Sequence, residues 1–148
     1  MLRISKMTDY AIMVMVELLA SQGEVLSAHA LAERSRLELP TVSKVLKLLV
    51  KTGLVESYRG ANGGYSLERN AQDISVAEII TAIEGPIAMT ECSTEEGQCA
   101  QEDICGLRGN WQRISIAVTK AMESVSLAEM AQPVKPTAAP LHITTLNA

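Results

Sequence analysis

A chain of 148 residues with 47% hydrophobic content can bury one sizeable core, and it is too short for two ordinary domains joined by a linker. With no Phe, one Trp and three Tyr, that core must be built from Leu, Ile, Val, Met and Ala, which favours helices and argues against an all-β fold. The net charge of −4 is uneven: residues 1–70 carry +2 and residues 71–148 carry −6, which leaves room for a basic face in the first half only.

Residues 7–21 read as a helix whose apolar positions cover nearly its whole circumference, as expected of a central core helix or of one that also meets a second subunit. After Gly23, Val25 and Leu26 suit a short strand, and Ser27 is a good N-cap for the helix AHALAERS. A turn over residues 36–39 leads to Pro40, a favoured opening residue, and a second helix, TVSKVLKLLVK, that Gly53 stops. Two short helices joined by a tight turn predict a helix-turn-helix. In the second helix Val42, Val45, Leu46, Leu49 and Val50 form an inward stripe. Strand-like runs at residues 54–58 and 65–68 flank a glycine-rich turn, so a β-hairpin follows at once. That order is a winged helix, with the hairpin as wing. Ser75 and Glu78 have capping-box spacing for the helix VAEIITAIE, which Gly85 and Pro86 end.

Residues 87–106 lack helical periodicity and read as a loop. Beyond it Leu107, Trp111, Ile114, Val118, Ala121, Val125 and Ala128 recur in alternating steps of four and three, the spacing of a coiled-coil seam. One helix is therefore expected to about Met130, roughly 36 Å long, with Trp111, Ile114, Val118, Ala121 and Val125 pairing against a symmetry mate. The last stretch, residues 132–148, has three prolines and is expected to be a disordered tail.

DNA presents a line of phosphates, so a reader needs cations for the backbone and a few polar groups for base edges. Thr41, Ser43 and Lys44 lie in the first turns of the second helix, where a recognition helix enters the major groove, and Lys47 and Lys51 are placed for flanking phosphates. Arg59 at the wing is a candidate for the minor groove. Singly, each is an ordinary solvated surface cation or turn residue; their joint placement on a helix-turn-helix and wing makes the signal.

With no signal-peptide pattern and no apolar stretch near the roughly 18 residues of a membrane span, a cytoplasmic protein is expected. In a reducing compartment Cys92, Cys99 and Cys105 are poor material for disulfides. Their intervals of six and five residues exceed the two to four usual in structural zinc sites, and thiolates so spaced accommodate an iron–sulfur cluster. A cluster normally takes four protein ligands. His29 and His142 are poorly placed for the fourth, which leaves Glu91, Glu95, Glu96, Glu102, Asp103 or a carboxylate from elsewhere; spacing does not decide among them.

The segments LRISKMTDYAI, LPTVSKVLKLLVKTGLVESYRGANGGYSL, ISVAEIITAIEG and ECSTEEGQCAQEDICGLRGNW together resemble the Rrf2 family of bacterial regulators over about residues 1–130, most closely its branch that regulates the SUF iron–sulfur assembly system. The resemblance implies a dimer with a long crossing helix, and a cluster, [2Fe-2S] or [4Fe-4S], held by Cys92, Cys99 and Cys105 near the subunit interface. Members that use a histidine place it shortly after the third cysteine, where this chain has Gly106, Leu107 and Arg108. In nitric-oxide-sensing members an N-terminal aspartate of the opposite subunit completes the cluster, and Asp9 matches it.

The reading is a mainly α winged helix: a DNA-binding domain at 1–86, a cluster loop at 87–106, a dimerisation helix at 107–131 and the tail. Its expected function is cluster-dependent repression of SUF assembly genes by a homodimer on double-stranded operator DNA, with no catalysis, small-molecule substrate or membrane partner. The rivals are a nitric oxide or redox sensor of the same family, a cluster carrier or scaffold without DNA binding, and a metal-free thiol switch.

Overall fold

Residues 3–90 and 105–133 are described by the computed structural model, and they fold as six α-helices, one hairpin and a 3-10 turn. Helix α1 (Lys6–Ala20) starts at Ser5, whose Oγ accepts the Thr8 amide, and it buries Thr8, Ala11, Val14, Met15 and Leu18. Ile12, Val16 and Leu19 pack partly against the core, while Met13 stays exposed, so the second apolar face is only half used. Helix α2 (Ala28–Ser35) is capped by Ser27 as expected. Arg36, in the left-handed region at φ 56°, makes the turn to helix α3 (Leu39–Lys51). That helix buries Val42, Val45, Leu46 and Leu49 completely, with Val50 at the edge. Each such side chain contributes about 1.5–3 kcal/mol of transfer free energy.

Strands β1 (Glu56–Tyr58) and β2 (Gly64–Ser66) pair antiparallel, with Glu56 opposite Ser66 and Tyr58 opposite Gly64. Tyr65 exchanges both backbone hydrogen bonds with Leu26, at 2.8 and 2.9 Å, which seats the hairpin on the segment entering α2. The approach is possible only because position 64 is glycine: a Cβ there would lie 2.4 Å from the Leu26 carbonyl oxygen. A 3-10 turn (Ala71–Asp73) precedes helix α4 (Val76–Glu84), which carries the predicted Ser75/Glu78 capping box.

The expected single helix to Met130 is not what forms. Helix α5 (Arg108–Glu123) stops after 16 residues, about 24 Å, and helix α6 (Leu127–Met130) begins after a corner. Ser126 and Glu129 make a second capping box there. The corner is strapped to the entrance of α4 by Val76 N–H to the Val125 carbonyl, 2.9 Å, and Leu127 N–H to the Ile74 carbonyl, 2.8 Å. Leu127 is thereby fully buried. Burial of one leucine and two net hydrogen bonds, together about 3–5 kcal/mol, outweigh the few tenths of a kcal/mol per residue that continued helix supplies. The predicted seam is thus divided: Trp111, Ile114, Val118 and Ala121 lie on α5, Val125 sits in the corner, and Ala128 packs against the core from α6.

Candidate nucleic-acid interface and cluster ligands

The amphipathic pattern of α3 sorts its side chains by chemistry. With Val42, Val45, Leu46 and Leu49 turned inward, Ser43, Lys44, Lys47 and Lys51 are exposed and Thr41 is half-buried. Three ammonium groups and two hydroxyls therefore share one helix beside an inward apolar stripe. The N-cap, Glu38, makes no side-chain cap bond, so the first amides of α3 are not taken up by that residue. Arg59 is exposed at the wing turn, next to Gly60 at φ +113°. Tyr58 at the end of β1 donates its hydroxyl to Glu56 and Glu68, which ties the base of the wing.

Helix α5 rests on α4 through a face centred on buried Ser115, with Thr119 and Met122 half-buried beside it. The predicted seam lies on another face: Leu107, Trp111 and Ile114 are 56%, 37% and 44% exposed, and Ala121 is exposed too. Val118 and Val125 are half-buried.

Of the four proposed cluster ligands, Cys92 and Cys99 lie outside the described residues. Cys105 is a half-buried thiol in no disulfide, two residues before the Leu107 N-cap of α5. Asp9 is exposed in the first turn of α1, and its carboxylate makes no hydrogen bond or ion pair with any described residue. Among the described residues no three of His, Cys, Asp and Glu come together as a metal site. The donor types, thiolate and a carboxylate with unused lone pairs, suit iron of a sulfide cluster. His29 is engaged on the surface, 3.6 Å from Glu33 one turn along α2.

A contact that the sequence does not signal joins this area to the domain. Glu84, the last residue of α4, accepts with one oxygen both the Ser5 amide, at 2.9 Å, and the Thr8 hydroxyl. These two donors hold its carboxyl below the usual carboxylate range, the Thr8 bond having the larger effect. Nearby, the amide of Met89 donates to Ser115 Oγ at 3.1 Å. Arg3, Ile4, Ile80, Glu84, Met89 and Met122 line a groove of about 420 Å³ between these ties.

The Rrf2 family model, described as an iron-dependent transcriptional regulator, matches residues 4–133. The HTH-type transcriptional regulator IscR of Xenorhabdus nematophila is 34% identical over 130 residues, covering 87% of this chain and 79% of that protein. Among solved structures, CymR, the global cysteine regulator of B. subtilis, superposes with a TM-score of 0.67 at 32% identity, over 88% of this chain and 97% of that one. T. potens IscR superposes with a TM-score of 0.64 at 29% identity, over 90% and 93%. No helix of the described residues is long and apolar enough to cross a membrane. A winged helix with a cationic α3, an exposed apolar face on α5 and a match of this extent lead to one conclusion: the chain belongs to the Rrf2 family of transcriptional regulators.

Proposed function

We propose that the protein is a homodimeric, iron–sulfur-cluster-dependent repressor of SUF cluster-assembly genes. The observation that carries the DNA part is the exposed set Ser43, Lys44, Lys47 and Lys51, with half-buried Thr41 beside it, on a helix anchored by four fully buried residues, with Arg59 on the adjoining wing. In this reading Thr41, Ser43 and Lys44 meet base edges or nearby phosphates, Lys47 and Lys51 grip the backbone, and Arg59 enters the minor groove. The α5 face of Trp111, Ile114, Val118 and Ala121 pairs with its symmetry mate and sets two recognition helices about 34 Å apart. Val125, in the corner, flanks that interface rather than extending its helix.

Cys92, Cys99 and Cys105 hold the cluster, and Asp9, which lies free at the start of α1, supplies the remaining ligand from the other subunit. When bound, the cluster supplies an occupancy signal, stable when assembly is adequate and lost when it is not. An oxygen donor makes one iron the more easily released. Cys105 is separated from α5 by a single residue before the N-cap, so ordering that thiol also orders the start of the dimer helix.

The test is anaerobic purification followed by footprinting on the upstream region of the SUF genes. Holo-protein should protect two half-sites one helical turn apart, and chelation should abolish protection. Lys44→Ala and Arg59→Ala should each weaken binding by about ten-fold, on the order of one such contact, while leaving the visible spectrum unchanged. Cys99→Ala should remove the spectrum. A colourless, iron-free protein that still binds operator under reducing conditions and releases it on oxidation would favour the thiol switch, for which the solved oxidised form of Staphylococcus aureus CymR, 27% identical, is a structural parallel. A coloured protein with no operator would favour the carrier.

A further inference from the structure

We propose that Glu84 is a positioning residue for Asp9, holding the first turn of α1 at the point where the cysteine loop leaves the domain; this rests on the reading of Asp9 as a cluster ligand. The first turn of any helix lacks intrahelical partners for its amides and frays unless tied. Here the tie is made from 79 residues away: the Glu84 carboxylate receives the amide of Ser5, the N-cap, and the hydroxyl of Thr8, which is fully buried. Ser5 in turn accepts the Thr8 amide with its side chain and the Asp9 amide with its carbonyl, at 3.2 Å. Every link from Glu84 therefore ends at the residue beside, or at the backbone of, Asp9.

The same carboxylate stands at the end of α4, immediately before Gly85, whose φ of +89° turns the chain toward Met89 and the bond to Ser115 on α5. One side chain thus ties the first turn of α1, which offers Asp9 to the partner's cluster, to the end of α4, from which the same protomer's own cysteine loop departs. The contrast between the two acids assigns their roles. Glu84 has committed an oxygen to two donors and serves as an anchor, while Asp9, one turn into α1, has made no such commitment and is available to iron. Groups that orient ligands in this way typically change metal affinity by 10- to 100-fold when removed.

The experiment follows cluster loss to a chelator, by visible absorption of the anaerobic full-length protein, in Asp9→Ala, Glu84→Ala, the double variant and Glu84→Gln. Asp9→Ala and Glu84→Ala should each shed the cluster roughly ten-fold faster than wild type. The double variant should be no faster than Asp9→Ala, because a positioning group has no effect once its client is gone. Glu84→Gln keeps an acceptor oxygen and should stay within about two-fold of wild type. In the apo-protein, amide exchange at Thr8 and Asp9 should quicken in Glu84→Ala, a readout independent of the cluster. Thr8→Val, which removes one donor at nearly constant shape, serves if Glu84→Ala does not fold, and should shed the cluster faster than wild type. Wild-type retention in Asp9→Ala would overturn the ligand reading and the proposal with it. A labile Asp9→Ala beside a normal Glu84→Ala, or effects that multiply in the double variant, would overturn the proposal and leave the ligand reading standing.

Discussion

Helices α3 and α5 are similar in length, 13 and 16 residues, yet the fold treats them in opposite ways. In α3 four side chains are completely buried and, beyond Leu39 and Pro40 in its first turn, the exposed residues are Ser43, Lys44, Lys47 and Lys51, as a solvated or DNA-facing surface requires. In α5 the one buried residue is Ser115, while Trp111, Ile114 and Ile116 are exposed. The protomer's core accounts for the sequence of α3 and leaves that of α5 unexplained. An apolar face left uncovered costs solubility and is kept where a second protein surface covers it. In the proposed reading α3 serves its own core and DNA, and α5 serves another chain.

The sharpest way to break that contrast is to charge the α5 face. Ile114→Asp with Val118→Asp should give monomers, because paired carboxylates across a symmetric interface would be desolvated and mutually repulsive. Operator affinity should fall by about 100-fold or more as two linked half-sites become independent. The winged-helix core should melt within about 0.5 kcal/mol of wild type when both are compared as monomers, since Ile114 is 44% exposed and Val118 half-buried in the protomer. Sedimentation and thermal melting measure the two halves of this prediction. A folded dimer would remove α5 from the interface.

A substitution in the other region should do the reverse, costing fold rather than assembly. Gly64→Ala places a methyl 2.4 Å from the Leu26 carbonyl oxygen and 2.7 Å from its carbon, both backbone atoms. Something must shift, at about 1–3 kcal/mol, and the Leu26–Tyr65 bridge that seats the wing should open first. Chemical denaturation should show the loss while sedimentation still reports a dimer. An unchanged denaturation midpoint would mean that the wing is not held by this contact.

The two regions also differ in how far they can be read from sequence. The winged helix is legible because its boundaries are local chemistry: Ser27 caps α2, Ser75 and Glu78 box α4, and Gly53 at φ +74° closes α3, each as its residue type predicts. The end of α5 carries the same kind of signal in Ser126 and Glu129, spaced like Ser75 and Glu78, but the apolar repeat through Val125 and Ala128 outweighs it when periodicity alone is followed. What decides the corner is the long-range pairing with Ile74 and Val76 and the burial of Leu127, and neither is visible along the chain. Glu84 is the extreme case, since its partners lie 76 and 79 residues away. Asp9 and the seam residues are singled out by family resemblance and spacing, while Cys92 and Cys99 fall outside the described residues.

The smallest expected effect tests whether the winged-helix region owes measurable stability to its exposed ties. Glu78 closes the α4 capping box by accepting the Ser75 amide at 2.9 Å, and its other oxygen meets Arg69 at 2.8 Å. The Arg69 hydrogen bond, followed by that from Ser75, lowers its carboxyl from the ordinary glutamate value, against some opposition from desolvation. A carboxyl with a folded-state pKa below its unfolded one contributes stability that is fully present above the unfolded value of about 4.3 and is lost as pH falls through the folded value. Glu84 and Glu129 are shifted in the same direction, so the melting temperature of wild type should decline as pH drops below about 5. Glu78→Gln keeps an acceptor for the Ser75 amide and removes the charge. Because Arg69 and Glu78 are 43% and 41% exposed, screening discounts the pair to about 0.5 kcal/mol. The variant should therefore melt slightly lower than wild type at pH 7, with the gap closing toward pH 3 as the wild-type carboxyl protonates. Curves that stay parallel over that range would show that the Glu78 charge contributes nothing to holding the start of α4.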